Sequence, residues 1–209
     1  MASGFRVADV AVHTVGQIHF EVGPGDCLGL TGPSGTGKTL LLRALADLDP
    51  HQGQMWLDGT PAEDIPVHLW RRQVGLLPAE SAWWHDSVAP HFPDTCPAWL
   101  SSLGFGPEVM QWPVSRLSSG ERQRLALLRL LALEPKVLLL DEPTANLDTE
   151  NVGRMERLIG AYRRERQSAI VWVSHDLAQL ERNCSRILVI RNARVVPLDL
   201  ALRPKEAGP

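Results

Sequence analysis

The segment Gly32-Pro33-Ser34-Gly35-Thr36-Gly37-Lys38-Thr39 decides the fold of this chain. A short apolar segment typical of a strand precedes it, and apolar residues at helical spacing follow it, predicting a helix over about 38–48. Glycines let successive backbone N–H groups turn inward around phosphate oxygens, and the following helix points its positive end at the same anion. The sequence therefore predicts a phosphate-binding loop, with Lys38 on the β- and γ-phosphates and the Thr39 hydroxyl on Mg²⁺.

Length and charge limit the classes of protein to consider. The 209 residues can bury the core of one domain, and 21 basic residues against 24 acidic ones argue against a general nucleic-acid binder. No signal peptide is predicted, and no apolar run reaches the roughly 18–20 residues of a membrane span. The three cysteines, at 27, 96 and 184, predict reduced thiols rather than a disulfide framework. We therefore expect a soluble chain that reaches a membrane only through a partner.

Strand and helix patterns alternate along most of the chain. Short strands are predicted over 4–31, 53–57 and 74–77, followed after residue 116 by a helix (119–133), a strand (136–140), a helix (149–166), a strand (169–173), a helix (176–182) and two closing strands (186–197). Fully apolar strands separated by helices predict a parallel sheet that is covered on both faces.

The stretch between residues 81 and 114 differs from the rest because prolines and tryptophans recur in it. We expect a small irregular lobe with one short helix near 98–103. Its aromatic residues form either a docking surface for a partner or the lobe's own core: Trp83, Trp84, Phe92 and Trp99. A metal site is not favoured there, since its candidate ligands lack a recognised spacing: His85, Asp86, His91 and Cys96.

Three further motifs carry chemistry. Leu117-Ser118-Ser119-Gly120-Glu121 stands before a predicted helix, where a backbone amide can bind phosphate; Ser118 and Glu121 also fit an ordinary capping box. Asp141 and Glu142 follow an apolar strand, where one carboxylate can hold Mg²⁺ and the next can polarise a water molecule. His175 follows another strand, at the strand end where ligands bind in α/β proteins.

In this order, together with Ala145-Asn146-Leu147-Asp148, the motifs resemble those of the ABC-type ATPases over about residues 5–197. The resemblance implies an α/β fold of the P-loop NTPase type, with a RecA-like parallel core sheet, an antiparallel β edge and a small helical lobe that is shortened here. It implies one domain over residues 1–203, with its core in 1–80 and 117–203, the lobe in about 81–116, and a flexible tail in 204–209.

The resemblance also assigns roles to residues. Phosphate contacts are expected from Gly32, Pro33, Ser34, Gly35, Thr36, Gly37, Lys38, Thr39 and Leu40. Thr39 and Asp141 are expected to hold Mg²⁺, Glu142 to act as the catalytic base, and His175 to contact the γ-phosphate and the attacking water. A head-to-tail homodimer is implied, in which each copy completes the other's ATP site with Ser118, Ser119, Gly120 and Asp148.

The implied protein is the ATP-hydrolysing subunit of an ABC transporter, cytoplasmic and peripheral on the inner face of the cell membrane. It would drive a separate membrane permease, would not bind nucleic acid, and looks similar to small subunits linked to metal export, in particular iron export. Two alternatives stay open: a soluble ABC-type ATPase that acts on DNA or ribosomes, and a regulatory nucleotide-binding module with weak hydrolysis.

Two positions depart from the family pattern. Ala79 stands where the family usually has a glutamine that senses Mg²⁺ and the γ-phosphate, with Glu80 beside it as a possible substitute. We therefore expect slower hydrolysis or looser coupling to the partner. The family's adenine-stacking aromatic residue aligns with Val12 or His13, which predicts weak stacking.

Overall fold

The computed structural model describes residues 4–12, 15–92, 99–191 and 194–198, and these form two sheets. The first is antiparallel, with the order β2-β1-β4-β5, and consists of β1 (Phe5–Val12), β2 (Val15–Val22), β4 (Gln52–Leu57) and β5 (Thr60–Pro61). The second has the order β10-β9-β3-β8-β7-β6 and consists of β3 (Cys27–Thr31), β6 (Val74–Leu77), β7 (Val137–Asp141), β8 (Ala169–Val173), β9 (Arg186–Arg191) and β10 (Arg194–Pro197). Its strands are parallel except β10, which pairs antiparallel with β9 at the edge.

Five α-helices accompany the sheets in the described residues: α1 (Lys38–Leu45), α2 (Val67–Gln73), α3 (Ser119–Leu131), α4 (Thr149–Arg166) and α5 (Leu177–Asn183). The bounds of α4 agree with the prediction, whereas α1 ends earlier than expected. Asp47 there has a left-handed backbone with a φ of 55°, which a continuing helix cannot accommodate. Helix α2 was not predicted, because Trp70 is its one buried residue and no periodic pattern results.

Two hydrophobic cores lie on opposite faces of the parallel sheet. All five residues of β7 are buried, and successive side chains point to opposite faces. Val137 and Leu139 pack into the core shared with α1 and the antiparallel sheet. Leu138 and Leu140 pack into the core shared with α3 and α4. The predicted parallel sheet with two covered faces is confirmed, although a second sheet provides part of one cover.

The stretch from 81 to 116 contains short 3₁₀ turns and no α-helix in its described part. The helix expected near 98–103 is present only as the 3₁₀ turn Ser101–Leu103. Phe92, Leu103 and Val109 are buried with residues of α3 and α4, so the stretch packs onto the second core. The expected flexible tail, His13 and Cys96 lie outside the described residues. In the described part of the chain, no helix is both long and apolar enough to cross a membrane.

Candidate active site

The phosphate loop connects β3 to α1. Gly37 precedes α1 with a φ of 93°, and Gly32 follows β3 with a φ of 149°. A Cβ atom at Gly32 would lie 2.5 Å from the carbonyl oxygen of Ile190, so no other residue fits this backbone. Thr36 closes the loop, because its hydroxyl donates to the Pro33 carbonyl at 2.9 Å. Ser34, Gly35 and Leu40 complete the predicted phosphate-binding set, with Leu40 exposed in the first turn of α1.

Lys38 extends back into the loop. Its ammonium donates to the carbonyl oxygens of Gly32 at 2.8 Å and Pro33 at 3.0 Å, and only 7% of the residue is exposed. Burial lowers the pKa of Lys38, although the carboxylates of Glu142 and Asp141 act in the opposite direction. The loop therefore surrounds the buried Lys38 ammonium group, which can exchange its hydrogen bonds to loop carbonyls for hydrogen bonds to phosphate oxygens.

The two residues predicted to hold Mg²⁺ meet directly. The Thr39 hydroxyl, in the first turn of α1, donates to Oδ2 of Asp141 at 2.7 Å, although 102 positions separate the two residues. Asp141 ends β7 and is almost fully buried. A hydroxyl and a carboxylate are hard oxygen ligands of the kind that Mg²⁺ prefers, together with substrate phosphates and water. These two residues therefore fit the ion.

Glu142 follows Asp141 in a strained conformation. Its backbone has a φ of 46°, and its N–H donates to the carbonyl of Val173 at 3.1 Å, which fixes it beside the end of β8. Its Oε1 atom is buried without a hydrogen-bond partner and lies 3.4 Å from Nε2 of His175. Burial raises the pKa of Glu142; His175 and Lys38 lower it, and Asp141 raises it further. The carboxylate thus faces the one predicted histidine across a short gap.

A buried amide connects the segments that carry Glu142 and His175. Gln179, on α5, donates to the Thr144 hydroxyl at 2.9 Å and accepts from the Ser174 hydroxyl at 3.0 Å. It also donates to Glu156 on α4 at 2.9 Å. Sequence reasoning missed this residue, since a single polar side chain facing inward on a short helix leaves no pattern. Its fully bonded amide fixes both loops relative to α4 and α5.

The segment 117–121 forms the start of α3. Ser118 and Glu121 make the expected capping box: the Ser118 N–H donates to Glu121 at 2.8 Å, and the Glu121 N–H donates to the Ser118 hydroxyl at 3.2 Å. Burial disfavours the charged form of Glu121, but the hydrogen bonds from Ser118 outweigh it and lower the Glu121 pKa. Ser118 and Ser119 are exposed, and a Cβ atom at Gly120 would lie 2.9 Å from Leu147.

Asp148 caps α4. Its carboxylate accepts from the N–H of Asn151 at 2.9 Å and from the Asn151 side chain at 2.8 Å, and these hydrogen bonds lower the Asp148 pKa. The structure therefore gives Ser118 and Asp148 similar local positions, because each is an exposed residue that caps the start of a helix.

The segment after β6 is attached to α3. Ala79 and Glu80 are exposed there, as the sequence register placed them. Gln123 is buried and donates to the carbonyl of Pro78 at 2.9 Å, while it accepts from the Ser81 hydroxyl at 3.1 Å. This side of α3 therefore holds the segment after β6 in place through two hydrogen bonds.

An aromatic cluster follows that segment. Trp83 and Trp84 lie 4.7 and 4.8 Å from the buried ring of His91, and the guanidinium of Arg129 lies 4.8 Å from both indoles. Nε2 of His91 accepts from the N–H groups of Trp84 at 3.0 Å and His85 at 3.1 Å. Trp84 remains 65% exposed, whereas Phe92 and Trp99 pack into the core. Phe92 and Trp99 therefore belong to the core, whereas a docking role stays a prediction for the exposed Trp84.

The candidate for adenine contact is corrected in part. Val12 is buried in the first core and presents no free surface to a base.

In the described residues, no cluster of three or more His, Cys, Asp or Glu side chains is arranged to hold a metal.

Comparisons with known proteins show which family the chain resembles. A family model described as "ABC transporter" matches residues 15–145. The phosphate import ATP-binding protein PstB of Aeropyrum pernix is 30% identical over 97% of this chain and 92% of its own length. The probable iron export ATP-binding protein FetA of Escherichia coli K12 is 31% identical over 83% of this chain and 82% of its own length.

A solved structure shares the fold. The structure of cbiO1 from Clostridium perfringens, described as part of the ABC transporter complex cbiONQ, has a TM-score of 0.78 over 94% of this chain and 88% of that chain, with 22% identity. The fold class and the family resemblance expected from the sequence are thus confirmed. The chain belongs to the ABC transporter family, among its ATP-binding subunits, which are ATPases that work with transmembrane partners.

Proposed function

We propose that this chain binds Mg-ATP as a homodimer and couples its hydrolysis to a separate membrane permease. The observation that carries the proposal is the convergence of Lys38, Thr39, Asp141, Glu142 and His175 at the carboxyl ends of β3, β7 and β8. Parallel α/β sheets bind their ligands at this edge.

Each residue has a chemical task in the proposal. Lys38 exchanges its two loop carbonyls for the β- and γ-phosphates of ATP. Thr39 and Asp141 would hold Mg²⁺, and the ion would supply positive charge to the phosphates. Glu142 has a raised pKa and an unpaired oxygen, so it can accept a proton from the attacking water. His175 lies close enough to orient that water and the γ-phosphate.

The dimer completes the site. Ser118, Ser119 and Gly120 lie at an exposed helix start whose backbone amides suit a phosphate group, and Asp148 lies at a second such start. We propose that these residues face the nucleotide held by Lys38 of the other copy. Residues 1–203 would act as one ATPase domain, with the stretch 81–116 as its lobe.

The permease would contact the lobe at the exposed indole of Trp84, which packs against Arg129 on α3. Arg129 donates to the carbonyl of Ala82 at 3.0 Å, so movement of the lobe is transmitted to α3. The similarity to a probable iron export subunit makes a metal exporter the first system to test. In that system the chain would be peripheral on the cytoplasmic face of the membrane.

Phosphate release by the purified chain tests the proposal. We expect Glu142→Gln to lower kcat by about 100-fold or more while ATP remains bound, because the general base is lost. Lys38→Ala should abolish ATP binding itself. Glu63→Gln, which changes an exposed carboxylate on the surface, is the matched control and should leave the rate unchanged. A background rate that Glu142→Gln does not alter would instead favour the regulatory module.

Light scattering in the presence of ATP tests the dimer. Glu142→Gln should elute as a dimer with ATP and Mg²⁺ and as a monomer without them, and Ser118→Arg should prevent the shift. Co-purification with a membrane protein, lost in Trp84→Ala but retained with Glu63→Gln, tests the proposed contact with the permease.

A further inference from the structure

Two cysteines lie in contact away from the ATP site. Cys27 begins β3, and Cys184 directly follows α5; their Sγ atoms are 2.9 Å apart, and both are free thiols. The pair lies at the opposite end of β3 from the phosphate loop. None of the chemistry proposed for ATP uses either residue.

The backbone around the pair is fixed by hydrogen bonds. The carbonyl of Cys27 accepts from the N–H of Ser185 at 2.9 Å and from its hydroxyl at 3.0 Å. The N–H of Cys184 donates to Leu180 at 2.8 Å, which anchors it to the end of α5. Gly29 packs directly against the pair, since a Cβ atom there would lie 3.4 Å from Sγ of Cys184. The two sulfur atoms therefore need to approach by less than about 1 Å to reach the bond length of a disulfide.

Each sulfur borders a separate surface cavity. Cys27 lines a cavity of about 450 Å³ together with Arg157, Arg163 and Arg182. Cys184 lines a second cavity of about 440 Å³ and is the more exposed of the two. The hydrogen bond between the thiols and burial raise the pKa of Cys27, while Arg163 acts against that rise. A small oxidant therefore reaches Cys184 more readily than Cys27, which is buried.

We propose that Cys27 and Cys184 are a reversible redox modification site that forms a disulfide upon reaction with hydrogen peroxide. The Cys184 thiolate attacks the peroxide, becomes a sulfenic acid, and the leaving oxygen departs as water after protonation. The Cys27 sulfur then attacks the sulfenic sulfur, an S–S bond forms, and the hydroxyl leaves as a second water. The two thiols lose two electrons in total, and the O–O bond of the peroxide accepts them. A dithiol reductant restores the pair by thiol–disulfide exchange.

The bond would add a covalent link between two segments that hydrogen bonds and packing already hold together. Cys27 and Cys184 are 157 positions apart. Strand β3 leads into the phosphate loop, while α5 begins directly after the segment that carries His175. Because a cross-link over so long a loop restricts the unfolded chain, the oxidised protein should be more stable than the reduced one.

Intact mass and peptide mapping test the proposal on the full chain. Hydrogen peroxide should remove the mass of two hydrogen atoms and two alkylatable thiols, and dithiothreitol should restore both. Trypsin should release a cross-linked peptide pair that joins residues 7–38 to residues 183–186. The melting temperature of the oxidised protein should rise by about 5–10 °C.

Three variants sharpen the test. Cys27→Ala should trap the sulfenic acid on Cys184, detected by a dimedone adduct, and Cys184→Ser should give neither adduct nor disulfide. Cys96→Ser is the matched control and should form the disulfide as the wild type does. Two results on the wild-type protein would overturn the proposal: an unchanged number of free thiols after peroxide treatment, or a cross-linked peptide that contains Cys96. Neither result depends on whether a variant folds.

Discussion

Gln179 and Thr144 join the two loops of the candidate active site, because the Gln179 amide donates to the Thr144 hydroxyl at 2.9 Å. Thr144 lies two positions after Glu142, and the Ser174 hydroxyl bonded to the same amide lies one position before His175. All three bonded side chains are buried. The separation between Glu142 and His175 is therefore set by a residue that contacts neither of them.

Gln179→Leu should lower both stability and turnover. Two buried hydroxyls lose their partner, so the free energy of unfolding should fall by about 2–4 kcal/mol in urea titrations. We expect kcat to fall about 10-fold while the dissociation constant for ATP stays the same, since the phosphate loop is untouched. Gln54→Leu, at an exposed position on β4, should change neither value. A normal kcat in a folded Gln179→Leu protein would contradict the positioning role.

Glu142→Gln should stabilise the protein at neutral pH. The raised pKa means that the native state holds this proton more tightly than the unfolded chain, so the associated stability is complete below pH 4.5, the ordinary value, and is lost as the pH rises through the native pKa. The melting temperature of the variant should exceed that of the wild type by about 2–4 °C at pH 7.5, and the gap should close in acid. The Glu142 side chain keeps 20% of its surface exposed, which favours the lower end of this temperature range. A constant difference at every pH would contradict this account.

His91 should make the lobe sensitive to acid. Burial lowers the His91 pKa, although Nδ1 donates to the carbonyl oxygens of Val88 and Ser87 and these hydrogen bonds raise it; Arg129 and His85 lower it further. The unfolded chain therefore takes up this proton first, and stability should fall as the pH drops from about 6.5 towards the lower native pKa.

Tryptophan fluorescence reports this change, because Trp83 and Trp84 pack on the His91 ring. His91→Gln keeps an oxygen that can accept hydrogen bonds from the backbone but cannot take up a proton. Its free energy of unfolding should therefore depend less on pH than that of the wild type between about pH 7 and 5, the range in which histidine titrates. His68→Gln, at an exposed position, should retain the dependence of the wild type. Identical slopes for all three proteins would show that the His91 pKa does not differ between the native and unfolded states.

Two glycines of the phosphate loop should differ in their tolerance of alanine. Gly32→Ala combines a φ of 149° with a collision at the Ile190 carbonyl, so we expect a loss of at least about 2 kcal/mol. At Gly35 the φ is 75°, but an added Cβ atom would have open space around it. Gly35→Ala should therefore lower the free energy of unfolding by only about 1 kcal/mol. Thermal unfolding without nucleotide measures both, and equal losses would argue against the collision.

Ala79→Gln should raise the rate of ATP hydrolysis. The position is exposed after β6, on a segment that Gln123 supports, so a longer amide can be accommodated there. It would restore the family's usual contact with Mg²⁺ and the γ-phosphate. Glu80→Ala should lower the rate if Glu80 substitutes in part for that amide. Unchanged turnover in both variants would show that Ala79, in place of the family's glutamine, does not slow hydrolysis.

The sequence predicted elements best where composition changes sharply. Strand β8 has the predicted bounds because five apolar residues follow a polar turn, and α4 begins after its capping residue Asp148 as expected. The lobe was predicted less well, since its prolines and tryptophans set no period and 3₁₀ turns carry no distinctive pattern.

The candidate site divides in a similar way. Thr39 and Asp141 were predicted to hold the same ion, and the structure brings their side chains within hydrogen-bond distance at the carboxyl-terminal edge of the parallel strands. Gln179 could not be predicted, because its role depends on three partners that the fold collects from different segments. Long-range polar contacts of this kind have no counterpart in local spacing.

The burial of β7 on both faces has a consequence for folding accuracy. A strand with two apolar faces can slide along its neighbours without exposing either face, so hydrophobicity alone does not set its alignment. Lys136 and Asp141 limit that sliding, because a shift in either direction would move a charge into an apolar layer. The carboxylate proposed to hold Mg²⁺ therefore also defines the end point of its own strand, and Asp141→Leu should yield misaligned chains as well as inactive ones.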